Sequence, residues 1–280
     1  MLIKRTLFVT TPMSHLRQQK IVGIIGCGWL GIAAAKQFLK KKWKVKGSAR
    51  SESALKRLEQ NSISAFPYEL GGATETLASF FRALELLIIA VPPGLRQQSG
   101  TDYLKNLSLL SEQIKAQLPK TTRILFVSST GVYPNSGGPY SENSTWQLRS
   151  EKSSYLWQAE QLFQSLPQET CVLRLAGLVG ENREPIISLS KREHLEGGYQ
   201  AVNLIHQLDA ARLLYYLGTS ETVPPFLNGV FPQKIKKGIF YKKKALKLQL
   251  PAPKYTDTDK DLDRHIFSEI ALAFTYDNPV

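Results

Sequence analysis

The chain has 280 residues, 42% of them apolar and 21% charged, enough for one large domain or for one domain with a small appendage. Its two cysteines make no disulfide framework, its four histidines stand apart without partner cysteines at metal-ligand spacing, and no apolar run reaches the roughly 18 residues needed to span a bilayer. The net charge of +13, concentrated in residues 36–46 and 234–247, reads as solvated faces that also attract an anionic ligand; without a nucleic-acid module signature it does not predict a nucleic-acid partner.

Residues 1–19 carry a short apolar stretch but no secretory core and no cleavage site, and are expected to form a disordered or upstream extension. A cytoplasmic protein is expected. Residues 21–26 (IVGIIG) are a β-rich run ending in glycine, and residues 29–39 read as a helix. A second strand is expected at 43–47, a helix at 54–59, a third strand within 63–70, and a buried fourth strand at 84–91 that stops at Pro92 and Pro93. Tyr103, Leu107, Leu110, Ile114 and Leu118 recur at helical spacing. Residues 123–128 (RILFVS) form a fifth strand. Tyr155, Leu156, Ala159, Leu162, Phe163 and Leu166 share another helical face, and residues 171–175 (CVLRL) form a sixth strand.

Alternating strands and helices predict an α/β fold of the Rossmann type, a doubly wound parallel sheet covered on both faces. The alternation weakens after Gly177. The expected organisation is an NAD(P)-binding Rossmann domain over 20–177 and a small substrate-binding region over 178–280, packed on the C-terminal ends of the strands.

Gly26, Cys27, Gly28, Trp29, Leu30 and Gly31 form a G-x-G-x-x-G turn between the first strand and the first helix. Such a turn needs the first glycine for the bend, the second for close approach of a pyrophosphate, and the third for packing of helix on strand. The helix N-terminus then offers unpaired N–H groups to phosphate. An acidic residue ending the second strand would hold the ribose 2′-hydroxyl of NAD, but here the positions read Ser48, Ala49, Arg50 and Ser51. Arg50 suits a 2′-phosphate, with Ser48 and Ser51 as further donors, so NADP is the expected cofactor; NAD remains open if Arg50 only stacks on adenine.

Phe126–Tyr133 (FVSSTGVY), Pro139–Glu142 (PYSE), Arg174–Gly180 (RLAGLVG) and Asn203–Asp209 (NLIHQLD) together resemble the extended short-chain dehydrogenase/reductase superfamily, and within it the atypical YeeZ-like branch. The resemblance runs from Ile21 to about Tyr255. It implies an oxidoreductase or an epimerase/dehydratase that acts on a small hydroxyl or carbonyl substrate. It places Ser129 at the position whose hydroxyl bonds the substrate oxygen, and the ends of the fourth, fifth and sixth strands (Ala90, Val91, Pro92, Ser128 and Leu178) beside the cofactor.

The family's Tyr–Lys pair is not intact. Counting from Glu160, the tyrosine position holds Lys152 and the lysine position holds Leu156, while Tyr155 stands nearby. Recruitment of Tyr155, use of Lys152 as acid/base, and loss of proton transfer all stay open. Tyr133, Glu142 and His206 are candidate substrate contacts, each with a plain structural alternative, and Arg183 is a candidate for holding an anionic substrate group. A non-catalytic NADP(H)-sensing protein is the competing reading. The family also implies homodimers formed through the helices before and after the fifth strand.

Overall fold

The computed structural model describes residues 19–92, 99–256 and 263–280; the expectation for residues 1–18 and the stop at Pro93 lie outside them. Seven parallel strands form one sheet in the order β3-β2-β1-β4-β5-β6-β9. They are β1 (Ile21–Ile25), β2 (Lys44–Ala49), β3 (Ser64–Pro67), β4 (Leu86–Ile89), β5 (Arg123–Ser129), β6 (Thr170–Leu175) and β9 (Phe226–Gly229). A separate parallel pair joins β7 (Gly177–Val179) to β8 (Leu204–His206).

Side chains alternate across the sheet, because successive residues of a strand point to opposite faces. Val22 and Ile24 of β1, Leu86 and Ile88 of β4, and Leu125 of β5 pack under α1 (Trp29–Lys40) and α7 (Gln207–Thr219). Ile25, Leu87, Ile89, Ile124 and Phe126 face the other way, under α4 (Gly100–Gln117) and α5 (Glu151–Gln164). The stripe expected from Tyr103 to Leu118 is that buried face of α4.

Strand order runs outward from β1 to β3 on one side and from β4 to β9 on the other. The reversal lies between β1 and β4, and ligands of open α/β sheets bind at the carboxyl ends of the strands at such a point. Gly26 follows β1 there, and Val91 lies just beyond β4.

The C-terminal region is more deeply joined to the sheet than a cap on the strand ends. It supplies β9, paired with β6, and α7, packed on α1, so the main core continues across the expected boundary at residue 177. A smaller core unites Val179, Ile186, Val202 and Leu204 with Phe240, Tyr241 and Ala245 of α8 (Lys237–Lys247).

Candidate functional site

The glycine turn has the geometry that its spacing requires. Gly26 has φ of +76°, and a Cβ there would meet the Ala90 carbonyl oxygen at 2.9 Å. Around Gly31 a Cβ would press on the Gly26 carbonyl and Ile24 at 3.2 Å, so helix and strand meet at glycine distance. A Cβ on Gly28 would meet the Gly26 carbonyl oxygen at 4.0 Å, an ordinary contact. Gly26 N–H donates to Ser48 Oγ at 3.1 Å, and Cys27 N–H to the Ser48 carbonyl at 2.9 Å, which ties the turn to the end of β2. The first intrahelical bond of α1 comes from Ile32 to Gly28, and no side chain caps the helix. The N–H groups of Trp29, Leu30 and Gly31 are therefore free of helical partners, as at any uncapped N-terminus. Burial pushes the Cys27 thiol up to about 12, against the pull of Arg57; Cys27 is a neutral packing residue against Gly31 and Gly47.

A cleft of about 640 Å³ extends from this turn toward β2 and β3. Of the residues expected to hold a cofactor, Gly26, Cys27, Gly28, Ser48, Arg50, Ser51, Val91 and Pro92 line it. Arg57, Tyr68 and Glu69 line it as well and were not anticipated. Arg57 follows Ala54 by three residues on α2 (Glu52–Gln60), which puts both on one side of the helix; that spacing was the available signal. Ser51 Oγ accepts from Ala54 N–H at 3.3 Å and so caps α2 at the cleft wall. Arg50 Nη1 reaches Glu69 Oε1 at 3.4 Å.

Trp29, Leu30, Gly31, Ala90, Ser128 and Leu178 are not among the residues that line this cleft. Leu30, Ala90 and Leu178 pack against the α1–α7 core. Ser128 is 7% exposed and its hydroxyl donates to Glu160 Oε1 at 2.6 Å, so its side chain is committed to the protein.

Ser129 ends β5. Its Oγ accepts from Gly131 N–H at 3.0 Å, capping the 3-10 turn Thr130–Val132, and among the described residues no acceptor takes its proton. Lys152 is exposed and stands across that turn: a Cβ on Gly131 would sit 3.3 Å from Ser129 Oγ and 3.6 Å from Lys152 Cε. Leu156 is buried beside them. Tyr155 is not brought to Ser129. Its ring lies on the first turn of α4, in the space that a Cβ on Gly100 would need.

The candidate substrate contacts have other partners. Tyr133 is 1% exposed; its hydroxyl lies 2.9 Å from the Ser141 carbonyl and 3.0 Å from Asn228 Oδ1, and accepts from Arg174 Nη1 at 2.9 Å. Burial raises its phenol, with the Arg174 charge pulling the other way. Glu142 Oε1 accepts from Asn228 N–H and Ser268 Oγ, both at 2.7 Å, and its Oε2 from Glu269 N–H at 3.0 Å. It fastens the C-terminal segment to β9. His206 Nδ1 accepts from Leu208 N–H at 3.3 Å and caps α7. Arg183 is exposed and lies over the Trp29 ring, 5.3 Å from its centroid.

No family model matches the chain. Protein YeeZ of Escherichia coli K12 is 26% identical over 272 residues, spanning 93% of this chain and 98% of that protein. This chain is similar to YeeZ along nearly its whole length. A solved structure of a putative NAD-dependent epimerase/dehydratase from Methylobacillus flagellatus has the same fold, matching this chain with a TM-score of 0.72 at 19% identity and covering 89% of each. The human epimerase family protein SDR39U1, solved with NADPH, matches with a TM-score of 0.68 at 14% identity, over 88% of this chain and 90% of that one.

Proposed function

We propose that this chain binds NADP(H) in the cleft between the glycine turn and β3, and acts on a small hydroxyl- or carbonyl-bearing substrate as an oxidoreductase or epimerase/dehydratase. One observation carries the cofactor choice: two guanidinium groups, Arg50 and Arg57, line the adenosine end of the cleft beside Ser51, and no carboxylate ends β2. A 2′-phosphate suits that donor set. The bare N–H groups of α1 suit the pyrophosphate, and the human relative of this fold was solved with NADPH.

A nicotinamide dinucleotide supplies hydride transfer, while the protein supplies position and electrostatics. Ser129 keeps its proton available for a substrate oxygen at the C-terminal end of β5. Lys152 stands where the family's tyrosine would stand, and its ammonium can give a proton to a developing alkoxide or compensate that negative charge. Tyr155 is left to helix packing. Turnover of NADPH against a panel of aldehydes, ketones and nucleotide sugars tests the catalytic half of the proposal: Ser129→Ala should abolish most of any activity found. Activity unaffected by that change would remove Ser129 from the chemistry.

The buried Leu156 favours a second reading. The family's lysine at that position would hold the ribose and lower the tyrosine pKa, and Leu156 does neither. A sensor that binds NADP(H) without turnover follows, and the same panel separates it: binding with no turnover on any member supports the sensor. For self-association, the α4–α5 face offers exposed Leu109 and Trp157; light scattering of the wild type and of Trp157→Glu tests it.

A further inference from the structure

Arg183 stands out among the charged side chains near the glycine turn. Gly180 N–H donates to the Arg183 carbonyl at 3.3 Å and Arg183 N–H returns to the Gly180 carbonyl at 2.9 Å, closing a tight turn in which Asn182 has φ of +61°. That turn rests on Trp29: a Cβ on Gly180 would lie 3.3 Å from Trp29 Cζ2. Trp29 is itself anchored, since its carbonyl accepts from Gln207 Nε2 at 2.8 Å. The Arg183 guanidinium thus lies over the same indole that the Gly180–Arg183 turn packs against. Its N–H groups meet no hydrogen-bond or ion-pair acceptor among the described residues, although Glu181 and Glu184 flank it in sequence. Glu184 pairs instead with Lys244 at 3.1 Å.

Trp29 is also the first residue of α1, and the unpartnered N–H groups begin with its own. No acidic residue occupies the first turn of α1 to balance the positive helix end. A cation stacked on Trp29 therefore adds to an uncompensated positive field. Such an arrangement is costly without an anion and favourable with one. A stacked guanidinium keeps its N–H edge available while its face is covered.

We propose that Arg183 closes over the pyrophosphate of the dinucleotide, so that the cofactor is held between the glycine turn and the region after β7. The proposal rests on the dinucleotide reading above. It reassigns Arg183 from the substrate to the cofactor, and it makes the 180–183 turn the point at which cofactor occupancy is felt by the C-terminal region.

The test is a titration of wild type, Arg183→Gln and Arg183→Lys with NADPH and, separately, with adenosine 2′-monophosphate, which has the adenosine end but no pyrophosphate. The expected result is an NADPH affinity at least tenfold weaker in Arg183→Gln, an intermediate loss in Arg183→Lys, and no change for adenosine 2′-monophosphate in either. NADPH binding equal to wild type in Arg183→Gln overturns the role of Arg183 and leaves the dinucleotide reading intact. Equal weakening of both ligands also overturns it, because a charge or folding effect would then suffice. A wild type that binds no dinucleotide sinks the dinucleotide reading and this inference with it.

Discussion

Arg50 and Glu69 face each other at the end of the cleft beside β2 and β3 at 3.4 Å, both more than 60% exposed. Exposed pairs of this kind are worth about 0–1 kcal/mol. A 2′-phosphate, with its larger charge, can therefore take Arg50 from Glu69 at small cost. Glu69 is in addition the carboxylate best placed to favour a free ribose hydroxyl. Glu69→Gln should raise the ratio of NADPH to NADH affinity several-fold, and Arg50→Ala or Arg57→Ala should lower it. Fluorescence titration of each variant with both cofactors reads the ratio; a ratio indifferent to all three changes would place the 2′ position elsewhere.

Ser129 Oγ and Lys152 Cε lie 3.3 Å and 3.6 Å from the place that a Cβ on Gly131 would take. If Ser129 holds the substrate oxygen, Ser129→Ala should cut turnover more than tenfold on any panel substrate that reacts, with NADPH affinity unchanged. Lys152→Gln should lower kcat at least tenfold with NADPH affinity unchanged, whereas Tyr155→Phe should leave kcat as it is. Equal kcat for wild type and Lys152→Gln would rule out proton transfer by this lysine.

Glu160 and Arg174 form a pair buried to 0% and 3% exposure at 2.8 Å, with Ser128 and Tyr133 as further partners. The guanidinium is enclosed by the rings of Tyr133, Trp146 and Phe226. Removing one member strands a buried charge, at a typical cost of about 3–5 kcal/mol. Arg174→Met alone should show that loss in urea unfolding, and the double variant with Glu160→Leu should recover most of it. Additive losses in the double variant would mean that the two charges do not depend on each other.

The succession of strands and helices as far as β6, and the glycine turn, were legible because they are written locally. Period-two and period-3.6 apolar patterns specify elements, and G-x-G-x-x-G specifies a turn within six residues. The roles of Tyr133 and Glu142 were not legible. Their partners, Asn228 and Ser268, lie 95 and 126 residues away, and nothing local distinguishes a buried hydrogen-bonding hub from a cleft residue. Residues 226–229 gave no clear signal as a strand either; the sequence there, FLNG, is short and contains residues disfavoured in strands, and its pairing with β6 is tertiary. Tyr155 is similar: its helical stripe was visible, but that its ring lies on Gly100 depends on how α4 meets α5.

Burial holds both cysteines as thiols: Cys27 and Cys171 are pushed from their ordinary 9.0 up to about 12. The unfolded chain can ionise them from about pH 9, whereas the folded chain cannot. Their contribution to stability is therefore complete below pH 9 and falls as pH rises toward 12. Native protein at pH 8 should resist iodoacetamide and become doubly labelled on unfolding; in addition, Cys27→Ala should flatten the loss of stability between pH 9 and 11. Rapid native labelling of Cys27 would show that the turn opens to solvent.

The central claim, a dinucleotide site tuned to the 2′-phosphate, is tested most directly by titrating the wild-type protein with NADPH and with NADH while following nicotinamide fluorescence. The account predicts saturable NADPH binding at least tenfold tighter than that of NADH. Equal affinities would contradict the assignment of Arg50 and Arg57, and no binding of either would contradict the site itself.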